Sequence, residues 1–130
     1  MSLQEFVRSV TKNAHDIQIL DKDEDRLVYA HGVCPYEYKW ILQGQYRCLP
    51  SLVILPGSTE DVCEVIKSAG DFGIGLIPFG GGSGSVGGTT PERSQVIVDL
   101  RRLRDFSLNE INCTATGGAG IIGAEFEDML

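Results

Sequence analysis

The sequence predicts an α/β fold: a small parallel sheet that contains a βαβ unit and is flanked by helices. Three observations carry this expectation. Ser51-Leu52-Val53-Ile54-Leu55 is a short apolar run bounded by Pro50 and Pro56, as in a strand covered on both faces. Val62, Val65, Ile66 and Ala69 then follow the i, i+3, i+4, i+7 rule of a helix with one buried side. Residues 74–79 form a second, nearly all apolar run. Strand, helix and strand with short joints make a right-handed crossover, so the two strands are expected to be parallel.

The joints have their own signals. Pro56-Gly57 ends the first strand. Ser58 caps the helix, and Glu60 and Asp61 lie in its first turn, where the helix dipole favours acids. Gly70 or Gly73 terminates it. Val96-Ile97-Val98-Asp99-Leu100 reads as a third strand. Residues 101–110 read as a polar connection with at most a turn of helix, and residues 113–116 as a fourth, short strand. A last helix has Ile121, Ile122, Phe126, Met129 and Leu130 as its apolar positions. It has no glycine, proline or basic last turn to stop it. It is therefore expected to be still running at Leu130, as in a chain cut within a domain, and copies of such a chain are expected to associate through the exposed face.

Upstream the pattern is weaker. Leu3, Phe6, Val7 and Val10 share one face of a short amphipathic helix, with Ser2 as cap and Glu5 completing a capping box. Residues 16–26 are charged and read as loop. Residues 27–48 hold Tyr29, Tyr36, Tyr38, Trp40 and Tyr46 without a clean period and receive no assignment. The chain thus divides into a partly irregular arm, residues 1–49, and a lobe, residues 50–130.

Composition narrows the function classes. A net charge of −7 argues against nucleic-acid or anionic-membrane partners, which need basic surface. It leaves room for a phosphate-bearing cofactor, because backbone N–H groups can hold phosphate without cations. No apolar run reaches the ~18 residues of a transmembrane helix, and the first residues lack the apolar core of a secretory signal. Cys34, Cys48, Cys63 and Cys113 show no CxxC spacing, and His31 with Cys34 lacks two further ligands at metal spacing. The expectation is no metal and a cytoplasmic protein with reduced thiols, Cys63 lying within the helix core.

The 16 glycines are concentrated between Gly70 and Gly123. The densest stretch is Pro78-Phe79-Gly80-Gly81-Gly82-Ser83-Gly84-Ser85-Val86-Gly87-Gly88, at the carboxyl end of a predicted parallel strand, where open α/β sheets bind ligands. Glycines let backbone approach a ligand and aim amides at it, and Ser83 and Ser85 add hydroxyls. A plain turn needs one or two glycines, and each surplus one costs ~1 kcal/mol of ordering. Gly82-Ser83-Gly84-Ser85-Val86-Gly87 matches GxGxxG, with Asp99 as a candidate ribose-binding acid. A dinucleotide loop must open into a crossover helix, however, and only residues 89–95, with Pro91 among them, precede the next strand. Gly82 and Gly87 have P-loop spacing, but Gly88 stands where lysine is required.

In sequence and order these motifs resemble the first half of the PCMH-type FAD-binding domain of the vanillyl-alcohol oxidase superfamily. The likeness is greatest to its alkyldihydroxyacetonephosphate synthase and D-lactate and glycolate oxidase branches. It rests on residues 50–56, Ser58-Thr59-Glu60-Asp61-Val62, residues 77–88, residues 96–100, and Gly118-Ala119-Gly120 with Glu127 and Leu130 downstream. The resemblance implies FAD as cofactor, with Pro78, Phe79, Gly80, Gly81, Gly82, Ser83, Gly84 and Ser85 around its pyrophosphate. Many members attach FAD through a histidine in this loop; here Ser83 or Gly84 stands there, so non-covalent FAD is expected. For a full-length protein the resemblance implies flavin-dependent oxidation of a 2-hydroxy acid or redox-neutral synthesis on an ether-lipid precursor. The family's substrate-binding and catalytic groups lie beyond this part of the domain, so no catalytic residue is expected here. Asp99 is read as a strand-end acid, and Glu125 and Glu127 as solvated helix carboxylates. The rival reading is a non-catalytic lobe or assembly module that binds no FAD by itself.

Overall fold

In the computed structural model of the chain, residues 2–30, 34–45, 48–91 and 94–130 are described. His31, Tyr46 and Arg47 lie outside them.

Helix α1, Leu3–Asn13, forms where the amphipathic pattern predicts and runs one turn further. Ser2 Oγ accepts from the Glu5 amide, and the Glu5 carboxylate accepts from the Ser2 amide at 2.8 Å, which closes the capping box. Strand β1, Ile17–Leu20, and the one-turn helix α2, Asp23–Arg26, replace the loop expected over residues 16–26. A 3₁₀ turn at Leu27–Tyr29 and helix α3, Pro35–Leu42, follow in the unassigned aromatic segment.

The βαβ unit is present as strand β2, Leu52–Pro56, helix α4, Thr59–Phe72, and strand β3, Leu76–Phe79. Ser58 Oγ caps α4 at the Asp61 amide, and Gly73 ends it. Strand β4, Val96–Asp99, lies between β2 and β3 and pairs with both in parallel. Among the described residues the sheet has the order β1-β2-β4-β3, with β1 antiparallel to β2 at its edge.

Alternation along these strands feeds two cores. Leu52, Ile54, Val96 and Val98 pack with Phe6, Val10, Val65 and Ala69 from α1 and α4. Val53 and Ile97 pack on the other face with Tyr29, Ile77 and Phe79. Covering both faces requires the unbroken apolar runs seen in the sequence. The first two elements of residues 1–49 thus contribute to the same core as the lobe.

Several expectations are corrected. On α4 the buried positions are Asp61, Val65, Ser68 and Ala69, while Ile66 is exposed. The helix turns one flank toward α1, where Ser68 and Ser9 hydroxyls meet at 3.0 Å. Cys63 is exposed, because two positions before Val65 is about 200° round the helix. Residues 101–110 hold strand β5, Phe106–Asn109, instead of a turn of helix. The strand expected at 113–116 is β6, Thr114–Gly117, and it pairs antiparallel with β5 in a separate two-stranded sheet. Helix α5 spans Gly123–Asp128 with Met129 as its C-cap, and the Met129 amide donates to the Glu125 carbonyl at 3.1 Å.

Candidate functional site

The glycine loop leaves the carboxyl end of β3, beside the carboxyl end of β4. Pro78 and Phe79 are the last residues of β3, and their side chains go to opposite faces. Pro78 joins Val62, Ile66, Leu76, Val98 and Leu100 around an apolar hollow on the α4 side, away from the second core. Phe79 is buried in that core. Gly80, Gly81, Gly82, Ser83, Gly84 and Ser85 then run over the surface, with Gly81, Ser83 and Ser85 exposed. No helix follows within residues 80–91, which removes the basis for a dinucleotide crossover.

Two features fit this loop to a phosphate group. Among the described residues, no amide of residues 80–85 donates a hydrogen bond within the protein. A row of open N–H groups on a glycine backbone is the chemistry of an anion nest. The glycine backbone is also uncrowded on its Cα side: a Cβ on Gly80 or Gly81 would meet nothing nearer than 3.7 Å. Gly82 is different. Its φ is +68°, and a Cβ there would lie 2.9 Å from Phe79 Cζ, so the conformation and the ring beneath both require glycine. Thr89 Oγ1 is buried without a partner among the described residues and would lie 3.9 Å from a Cβ on Gly84. Its polarity faces the loop with nothing among the described residues to satisfy it.

A second glycine segment forms a wall beside the loop. Gly80 faces the Ala119 carbonyl, and Gly81 faces the Ile122 side chain. This wall can sit there because Gly120 rests on the chain after β4; a Cβ on it would lie 2.5 Å from the Leu100 carbonyl oxygen. The Gly120 amide donates to the Leu103 carbonyl at 2.8 Å and ties the wall down. Beyond the loop, Thr90 donates to the buried Glu37 carboxylate of α3, and Pro91 is fully buried.

The root of the loop is braced by groups the sequence did not single out for it. Asp99 has no exposed surface. It accepts a hydrogen bond from the Tyr29 phenol at 2.7 Å, from the Arg101 amide at 2.9 Å and from Arg101 Nη2 at 2.6 Å. Arg101 Nη2 also donates to the Tyr29 oxygen at 2.9 Å. Burial pushes the Asp99 carboxyl up, but the bonds from the Arg101 side chain and amide and from Tyr29 outweigh it and hold it below the usual carboxylate range. Burial, and next the bond to Asp99, push the Tyr29 phenol up to about 12. With its oxygens committed, Asp99 is a structural strand-end acid and has no free acceptor edge for a ribose. Glu125 is half-buried, bonds the Ile122 amide and pairs with Arg104 at 3.0 Å, while Glu127 is exposed.

Residues 50–130 match the FAD binding domain family. The chain belongs to that family. It is 32% identical to the alkyldihydroxyacetonephosphate synthase of Dictyostelium discoideum over 97% of this chain and 21% of that protein. It is 26% identical to the glycolate oxidase subunit GlcD of Bacillus subtilis over 78% of this chain and 20% of that protein. A solved alkyldihydroxyacetonephosphate synthase structure superposes on 99% of this chain and 25% of its own, with a TM-score of 0.89 at 30% identity. The chain therefore spans about a fifth of the length of the curated relatives it matches. The expected α/β fold and FAD as the cofactor both stand. Among the described residues no helix is long and apolar enough to cross a membrane.

Proposed function

We propose that residues 78–85 hold the pyrophosphate of non-covalently bound FAD, and that this chain supplies one wall of the flavin site of a longer flavin-dependent oxidoreductase. The open row of amides between Gly80 and Ser85, at the carboxyl edge of the sheet, carries this reading. A diphosphate there would take hydrogen bonds from backbone dipoles and from the Ser83 and Ser85 hydroxyls, which suits a chain of net charge −7. When bound, the flavin supplies the redox chemistry; this chain positions it and excludes water from one side of the diphosphate. Phe79 and the 118–122 wall fix the loop, and no residue here is assigned a proton or hydride to move. Residues 78–88 contain no histidine for a covalent link. The names of the two relatives favour a 2-hydroxy acid or an ether-lipid precursor as the substrate class of the whole protein.

Flavin fluorescence titration tests the loop. Gly82 is a poor place for the probe, since any side chain there also displaces Phe79. Gly81 is exposed, is free of the left-handed region and has space above it. A carboxylate at Gly81→Asp, ~5 Å from a phosphate at an effective dielectric of ~20, costs roughly 3 kcal/mol. Saturable quenching by the native chain is expected, nearly kept in Gly81→Ala and weakened about a hundredfold in Gly81→Asp. Equal affinity in all three proteins overturns the assignment. A native chain that leaves flavin unquenched shows that the lobe does not hold FAD by itself.

A further inference from the structure

One group of residues outside the loop converges on a single ring beneath it. Tyr29 and Phe79 stack edge to face, with centroids 5.0 Å apart. The Arg101 guanidinium lies 5.5 Å from the Phe79 centroid and 5.7 Å from that of Tyr29. Asp99 holds both partners, as described above, and pairs in register with Phe79 across the β3–β4 ladder. The Leu100 amide donates to the Phe79 carbonyl at 2.8 Å. The tip of the Phe79 ring in turn fills the space a Cβ on Gly82 would need. A chain of contact thus runs from Arg101, Asp99 and Tyr29, through one ring, to the glycine of positive φ in the middle of the loop.

We propose that Tyr29, Asp99 and Arg101 are positioning residues for the glycine loop, acting through the Phe79 ring on Gly82. This rests on the pyrophosphate reading for its benefit to FAD, but its structural content stands apart from it. A glycine-rich loop is entropically costly to order. A ring packed between Tyr29 and Arg101 gives Gly82 one surface to rest on, so the amides are aimed before a ligand arrives. Asp99 takes up the charge of Arg101, so the guanidinium acts here as a brace and not as the phosphate's own cation. A lysine cannot reproduce this brace, because it offers neither the planar fork to Asp99 nor the stacking face to Phe79.

The test uses the full chain and two readouts. Backbone ¹⁵N order parameters of residues 80–84 report loop order, and FAD titration reports affinity. In Arg101→Ala, the loop order parameters are expected to fall from about 0.85 towards 0.6, while those of β2 and β4 stay in the rigid range. FAD affinity is expected to fall about tenfold. Arg101→Lys should behave like Arg101→Ala, and Tyr29→Phe, which keeps the ring and loses the phenol, should give a smaller change in the same direction. Should Arg101→Ala fail to fold, Tyr29→Phe and Arg101→Lys carry the comparison. Unchanged loop order in the folded variants overturns the proposal. So does a loss of FAD affinity without any change in loop order, which would make Arg101 a direct phosphate ligand. A loop that loosens in a chain that binds no FAD upholds the bracing and shows that the lobe does not hold FAD by itself.

Discussion

Strand β4 and the loop after β3 end side by side and are built in opposite ways. Val96, Ile97, Val98 and Asp99 are all buried, and the apolar three belong to one or other of the two cores. The loop that follows Phe79 buries almost nothing and leaves its amides open. The strand commits its hydrogen bonds to its neighbours, whereas the loop leaves its amides open. A rigid edge carrying an unsatisfied loop is how a small α/β domain presents a binding group without side-chain cations. Between the two regions stands the Tyr29–Asp99–Arg101 group: Tyr29 and Asp99 are buried, Arg101 is exposed, and the group reaches the loop through Phe79.

The contrast can be broken at three levels. The largest effect is expected in the core. Ile97→Ala empties a site with no exposed surface and should cost about 2–5 kcal/mol in denaturant unfolding. Any FAD affinity of the molecules that remain folded should change little. An equal loss of both would show that loop and core are not separable.

The junction should give a smaller, pH-dependent effect. The Tyr29 phenol, held up to about 12, ordinarily titrates near 10 when unfolded. Because the folded value is the higher one, its contribution is full below pH ~10 and is lost as pH rises through about 12. That contribution is roughly 2–3 kcal/mol. Urea unfolding at pH 8 should find Tyr29→Phe the less stable protein, and the gap should close towards pH 12. A gap that holds constant would mean that burial and the bond to Asp99 do not hold the phenol above its ordinary range. The Asp99 carboxyl has the opposite sign: held below its usual range, it contributes above pH ~4 and loses that contribution as pH falls further.

The smallest effect is expected on the exposed side of α4. Cys63→Ser should change thermal stability by less than about 0.5 kcal/mol, since the thiol is exposed. A loss of several times that would restore Cys63 to the helix core expected from the sequence.

Much of the scaffold was legible because its signals are local. Strands β2, β3 and β4 are apolar runs, the first two with proline or glycine at their ends, and α4 has a cap, a period and a stop. Strand β1 was missed because Ile17, Gln18, Ile19 and Leu20 make a four-residue edge strand with one partner, amid charges that read as loop. Strand β5 was missed for a related reason: Ser107, Leu108 and Asn109 are exposed, and pairing with β6 rather than burial holds the hairpin. The loop's glycines were legible as a phosphate-type segment, but its brace was not. Tyr29 and Asp99 are 70 residues apart, and no period links them. Gly118 and Gly120 were legible as part of a family pattern; their docking on the chain after β4 became visible only in three dimensions.

The central claim concerns the amides of residues 80–85, and NMR reads those atoms one by one even when binding is weak. Titration of the ¹⁵N-labelled chain with FAD should move the Gly80–Gly84 and Ser85 amides along saturable curves, with β1 and α1 unmoved. Saturable shifts elsewhere with the glycine-loop amides unchanged would contradict the account.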